Sequence, residues 1–249
     1  MIALECFAIS DSGGSLDANE DSVVADPKGG IFVVADGMGG RPGGAQASSA
    51  ATEAFSRYLR ALEPAARVES VSLRDAIAAA NQAVRSIAKA DPNMDGLGTT
   101  LAATVLQGLN AGVVHVGDSR VYLFRDGGLN QLTEDHTLVA ELVARHDLSR
   151  ERAQRFPLRN VLSRSIGTQE NVDADVYFFQ VRADDWLLLA TDGLAGAMDL
   201  AHLQGIMVRE QEKAPQQMCE AIVHSALQNE PQDNLTVIAV RVGTGSGDS

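Results

Sequence analysis

The sequence predicts an α+β fold of antiparallel strands and helix pairs, folded as one domain. Three observations carry that reading. Short apolar runs at 3–10, 23–26 and 32–36 are separated by turn residues, a pattern of antiparallel strands rather than of strand–helix–strand units. Two Ala-rich segments then follow at 44–62 and 72–89, with Ile77, Val84 and Ile87 at helical spacing. Beyond them the chain returns to strands, then to two more helices, and closes on a final strand at 235–242. Neither an internal repeat nor a mid-chain linker divides it, so residues 1–242 are expected to form one unit, with 243–249 a flexible polar tail.

The elements follow in order. A loop at 11–15 leads to Asn19-Glu20-Asp21-Ser22, and Pro27-Lys28-Gly29-Gly30 turns the chain into Phe32-Val33-Val34-Ala35-Asp36. That apolar run ends at an acid, followed by Gly37-Met38-Gly39-Gly40. Asp36 is therefore expected at a strand end, with bare backbone beside it that could admit a hard cation. Asp-Gly is also the commonest hairpin signal, and a plain turn is the alternative. Ser72 is the expected N-cap of the second helix. Strands are predicted at 99–106, 111–116, 120–125 and 129–132. Asp126-Gly127-Gly128 is a hairpin turn, because strand patterns flank it on both sides. Residues 138–166 are helical, charged and interrupted by Pro157, an expected flap over a cleft. Strands at 174–181 and 186–190 follow. The second ends in Thr191-Asp192-Gly193, ahead of a segment at 194–198 and helix candidates at 200–212 and 215–228.

Composition excludes several classes of function. A net charge of −13 is the wrong sign for a nucleic-acid partner. The two cysteines, Cys6 and Cys219, show no zinc spacing and imply no disulfide framework. The N-terminus lacks a signal-peptide pattern, and no apolar run approaches the ~20 residues of a membrane helix, so a cytoplasmic protein is expected.

Four acids, Asp36, Asp118, Asp192 and Asp233, stand at edges of apolar strands where folding does not ask for them, and Glu20 precedes another strand. Oxygen ligands of this type suit Mg2+ or Mn2+, while zinc is disfavoured for want of histidines at ligand spacing. Spacing by itself leaves open whether the acids converge.

Asn19-Glu20-Asp21, Asp36-Gly37-Met38-Gly39-Gly40, Gly98-Thr99-Thr100, Val116-Gly117-Asp118-Ser119-Arg120, Thr191-Asp192-Gly193 and Asp233-Asn234 occur in the order and spacing of the metal-dependent protein phosphatases. Over residues 7–242 the chain resembles a compact bacterial serine/threonine phosphatase of the protein phosphatase 2C type. The resemblance implies a four-layer α-β-β-α sandwich, two packed antiparallel sheets flanked by helix pairs. It implies two or three Mg2+ or Mn2+ ions and hydrolysis of phosphoserine or phosphothreonine by direct attack of a metal-bridging water. Asp36 would bridge two metals, Glu20 and the Gly37 carbonyl would complete one site, and Asp192 and Asp233 the other. Asp118 with Asp192 would match a third. Asp36 and Asp192 are thus the expected catalytic acids, and Asp21 and Asn234 would orient ligands. The expected partners are phosphorylated proteins, targets of a serine/threonine kinase.

The chain departs from the family's pattern in three places. Leu16 stands where an arginine usually grips the substrate phosphate. Arg41 replaces a histidine after Gly40, and Ala45 replaces an acid. Arg41 is a candidate substitute phosphate contact; the alternative is a solvent-facing arginine at a helix start. Met38 occupies the place of a general-acid histidine in many relatives and cannot serve as one. His115 is expected to be packed and His136 to be structural, and no catalytic role is assigned to Arg164. Two other functions are weighed: a catalytically weak phosphoprotein-binding module, and a small-molecule phosphomonoesterase on the same fold.

Overall fold

Strands buried on both faces read as continuous apolar runs, and the same strands sort their residues alternately to two sides. In the computed structural model, Phe32 and Val34 enter one core while Ile31 and Val33 enter another. Leu187, Leu189, Ile238 and Val240 meet Phe32 and Val34, whereas Trp186, Leu188, Val237 and Ala239 face away into a third core. Three cores imply four layers. The structure describes residues 2–13, 18–38, 43–94, 96–153, 155–231 and 233–244.

The elements run β1 (Ile2–Asp11), β2 (Asp21–Asp26), β3 (Ile31–Met38), α1 (Gly43–Arg60) and α2 (Ser70–Ala90). Then come β4 (Gly98–Thr99), β5 (Leu101–Gln107), β6 (Asn110–Val116), β7 (Arg120–Arg125) and β8 (Gly128–Gln131). The flap carries α3 (Leu138–Ala144) and α4 (Arg150–Ala153). The chain closes with β9 (Asp175–Gln180), β10 (Trp186–Ala190), α5 (Asp192–Ala197), α6 (Leu200–Glu210), α7 (Pro215–Leu227) and β11 (Leu235–Thr244). One antiparallel sheet has the order β1-β11-β10-β7-β8, the other β2-β3-β5-β6-β9, with β4 paired to the end of β3. Helices α1 and α2 cover the second sheet through Ala47, Ala51, Phe55 and Leu59 and through Leu73, Ile77, Ala80 and Val84. Helices α6 and α7 cover the first through Leu203, Ile206, Met218 and Ile222. The predicted α-β-β-α sandwich is the observed one.

Several boundaries differ from expectation. Strand β3 does not stop at Asp36: Gly37 pairs with Thr99 and Met38 with Gly98, so Asp36-Gly37 is strand and not a hairpin turn. The predicted strand at 99–106 is two, split at Thr100, whose side chain and main chain are both engaged with Asp36. Helix α2 is capped by Glu69 without a side-chain hydrogen bond, and Ser72 lies buried within its first turn. Gly243 and Thr244, expected in a flexible tail, extend β11 by pairing with Ala3 and Ile2. Residues 245–249 lie outside the described residues. The Asp126 hairpin is present, with Asp126 at φ 53°.

Candidate active site

Antiparallel registers place the acids. Asp21, the first residue of β2, pairs directly with Asp36. In the other sheet Ala190, the last residue of β10, pairs with both Val237 and Arg120. The end of β10, the start of β11 and the start of β7 therefore share one edge of the sandwich. Asp118, Asp192 and Asp233 lie just beyond those strand ends and line one cleft of about 720 Å3, roofed by Thr137, Val139 and Arg159 of the flap.

The main chain around Asp36 is pinned on both sides. Its N–H donates to Thr100 Oγ1 at 2.9 Å, and its carbonyl accepts from Thr100 N and Thr99 Oγ1, each at 2.8 Å. The Thr100 hydroxyl also bonds Ser119 Oγ at 2.7 Å, which ties the Asp36 strand to the loop of Asp118. Glu20 is held from three directions. Its N–H donates to Asn234 Oδ1 at 2.8 Å, and its carbonyl accepts from Ser48 Oγ at 2.6 Å and Gly37 N at 3.1 Å. Asn234 Nδ2 reaches the carbonyls of Ser12 and Ala18 at 3.0 and 3.2 Å. Asp21 Oδ2 accepts from Thr191 Oγ1 at 2.9 Å, and that oxygen in turn accepts from Thr236 N at 3.0 Å.

Glycine serves close approach here. A Cβ on Gly37 would collide with the Gly44 carbonyl and lie 2.7 Å from the Glu20 carbonyl. A Cβ on Gly44 would overlap Glu20 Oε2 and sit 2.8 Å from the Gly37 carbonyl. The Glu20 carboxylate and the Gly37 carbonyl thus share a niche kept open by the bare Cα of Gly44. Gly44→Ala is expected to displace the Glu20 carboxylate and weaken Mn2+ binding at least about tenfold, the scale of losing an orienting contact. Calorimetric titration would measure this, and unchanged affinity would refute the niche.

Burial, followed by the neighbouring carboxylates Asp192, Asp21, Asp233 and Asp118, raises Asp36 well above the ordinary carboxylate range. Asp21 is pushed to about 7 by burial, with Asp192 and Asp233 adding to it. Asp118 also reaches about 7, through burial and then Asp192 and Asp135. Burial and then Asp233 raise Asp192, and the neighbouring Asp36 carboxyl works against them. Oδ1 of Asp21 and Oδ1 of Asp192 are buried without a hydrogen-bond partner. Arg120, a cation in the wall, is committed to Asp135 by a two-pronged pair at 2.9 and 2.6 Å. Desolvated acids that repel one another, with orphaned oxygens among them, are the donor set a hard divalent cation would satisfy. Among the described residues no three His, Cys, Asp or Glu side chains already converge at coordinating distance.

Of the predicted site residues, Asp21, Asp36, Asp118, Asp192 and Asp233 share one electrostatic neighbourhood, and Glu20 with Gly37 adjoins it through Asn234 and Gly44. Leu16, Gly39, Gly40 and Arg41, including the candidate phosphate contact, lie outside the described residues. Sequence reasoning missed the work of Thr99, Thr100 and Thr191. Their position in or beside the quoted motifs was the available signal, but a hydroxyl's partner is a tertiary fact. His115 is buried in β6 as expected, and burial lowers it to about 4.

The family model of protein phosphatase 2C matches residues 16–237. The serine/threonine phosphatase stp of Listeria welshimeri is 33% identical over 213 residues, covering 84% of this chain and 83% of that protein. The serine/threonine protein phosphatase PstP of Mycobacterium tuberculosis is 34% identical over 242 residues; the alignment covers 97% of this chain but 45% of PstP. A solved catalytic domain of PstP in complex with two manganese ions superposes with a TM-score of 0.86 at 30% identity, covering 98% of this chain and all of that one. The chain belongs to the protein phosphatase 2C family.

Proposed function

We propose that this chain is a metal-dependent protein serine/threonine phosphatase. One observation carries the reading: acids from five separate segments share one electrostatic neighbourhood, four of them raised by burial and two with an oxygen that has no hydrogen-bond partner. Glu20, Asp36, the Gly37 carbonyl, Asp192 and Asp233 would hold two Mn2+ or Mg2+ ions, and Asp118 with Asp192 a third. Such ions supply Lewis acidity toward phosphoryl oxygens and make water nucleophilic at neutral pH.

The chain's own residues do the positioning. Thr99 and Thr100 fix the peptide of Asp36, so its carboxylate projects from a strand that cannot shift. Thr191 fixes Asp21, and Asn234 fixes Glu20, both as orienting groups. A covalent thiol route is disfavoured: burial pushes Cys219 up to about 12, and its Sγ donates to the Phe7 carbonyl. Cys6 is raised too, by burial and then by Asp26.

The substrates proposed are phosphoserine and phosphothreonine proteins, with a serine/threonine kinase as counterpart and the cytoplasm as the compartment. No described helix is long and apolar enough to cross a membrane. Phosphothreonine and phosphotyrosine peptides of one sequence, assayed side by side with Mn2+, test the reading. Hydrolysis of the phosphothreonine peptide with kcat/KM at least about tenfold higher is expected. Equal rates, or activity confined to small phosphate esters, would overturn it.

A further inference from the structure

His136 is absorbed by none of the roles above, yet it is buried, 4% exposed, and fully engaged. Its main-chain N–H donates to the Gly117 carbonyl at 2.8 Å, and its Nδ1 accepts the Gly117 N–H at 3.2 Å. One residue thus takes up both polar main-chain groups of Gly117. That glycine sits at φ +107°, where a Cβ would also lie 2.6 Å from the Thr100 methyl, so the turn has no side chain of its own to hold it. The next residue is Asp118, 9% exposed and lining the cleft.

The far side of the ring is fixed as well. With Nδ1 accepting, the proton belongs on Nε2, which faces Asp175 Oδ2 at 3.1 Å, with Arg164 Nη1 at 3.2 Å from the same nitrogen and itself turned to that carboxylate. Arg164 Nη1 donates to Asp175 Oδ1 at 2.8 Å, and the Tyr177 hydroxyl to Oδ2 at 3.2 Å. Burial lowers the pKa of His136, so the neutral ring that this pattern requires is the favoured one. A continuous path of hydrogen bonds therefore runs from Arg164 and Tyr177 through Asp175 and His136 to the peptide that delivers Asp118. It also crosses the base of the flap, where Ser163 N donates to the His136 carbonyl at 2.9 Å.

We infer that His136 is a positioning residue: Nδ1 and the main-chain N–H set the Gly117 turn and aim Asp118 into the cleft, while Asp175 orients the ring. The inference rests on the phosphatase reading, in which Asp118 serves a cation. Two variants separate positioning from packing, because asparagine places an acceptor where Nδ1 was and glutamine places a donor where Nε2 was. In calorimetric Mn2+ titrations of the full chain, His136→Gln is expected to weaken the binding step that Asp118→Asn removes by about tenfold or more. His136→Asn should weaken it several-fold less. Combined with Asp118→Asn, His136→Gln should add nothing further, since both act through one carboxylate.

Equal effects of asparagine and glutamine, or losses that simply add to that of Asp118→Asn, would overturn the inference. If His136→Gln fails to give a cooperative thermal transition, Asp175→Ala carries the test. It should weaken the same step and be non-additive with Asp118→Asn; an unchanged step, or an additive loss, overturns the inference. A wild-type chain that neither binds Mn2+ nor hydrolyses a phosphothreonine peptide fails the phosphatase reading itself, and this inference with it. An active wild type with additive variants fails only the inference.

Discussion

Asp192→Ala is expected to reduce Mn2+-dependent hydrolysis of p-nitrophenyl phosphate by on the order of 10³-fold or more. Metal ions supply several kcal/mol of transition-state stabilisation in such sites, and each ~1.4 kcal/mol is a factor of ten in rate. Asp192 is the residue shared by one of the two proposed ion sites and the third. It opens α5 at the rim of the cleft, neighbours Asp36, and is pressed by Asp233. Its Oδ1 has no other partner to lose, so the substitution should spare the fold while removing activity. A thermal transition at or above that of wild type, together with lost activity, is the expected pair. Retention of more than about a tenth of wild-type kcat/KM would sink the assignment.

The second large effect is a pH-dependent stabilisation by metal. Asp21 and Asp118 are held at about 7 in the folded chain, and Asp36 and Asp192 are also raised; an unfolded aspartate titrates near ~3.9. A carboxyl group raised by folding contributes stability that is fully present below the unfolded value and is lost as pH climbs through the folded one. Between about pH 4 and pH 7, then, these groups should progressively destabilise the protein unless a cation compensates them. Mn2+ at about 100 times its Kd is expected to raise Tm by about 5–10 °C at pH 7.5. At pH 5, where protons compete for the same oxygens, the rise should be much smaller. Scanning calorimetry at the two pH values, with EDTA reversal, measures both arms. Equal shifts at pH 5 and pH 7.5 would show that the metal acts elsewhere.

Much of the fold was legible because burial on two faces leaves a plain mark. The runs at 32–36, 186–190 and 235–242 could only be interior strands, and the helical spacing of Ile77 and Val84 put α2 against a sheet. Where local rules and tertiary contacts compete, the local rules lost. Ser72 is a good cap by composition, but the helix begins earlier, where Glu69 needs no side-chain bond. Asp36-Gly37 is a strong hairpin signal, but the pairing of Gly37 with Thr99, 62 residues on by number, carries the strand through it.

The order of the elements and the identity of every candidate acid were determined by the sequence alone, because periodicity and residue type are local properties; the four-layer packing was implied by the family resemblance. That Asp21 faces Asp36, that Thr191 bonds Asp21 across the two sheets, and that His136 holds the peptide before Asp118 were decided only by the tertiary structure. The physical reason is that alternation along a strand specifies which face a side chain takes, but not which distant strand stands beside it or in what register. The cleft exists where several such registers end together.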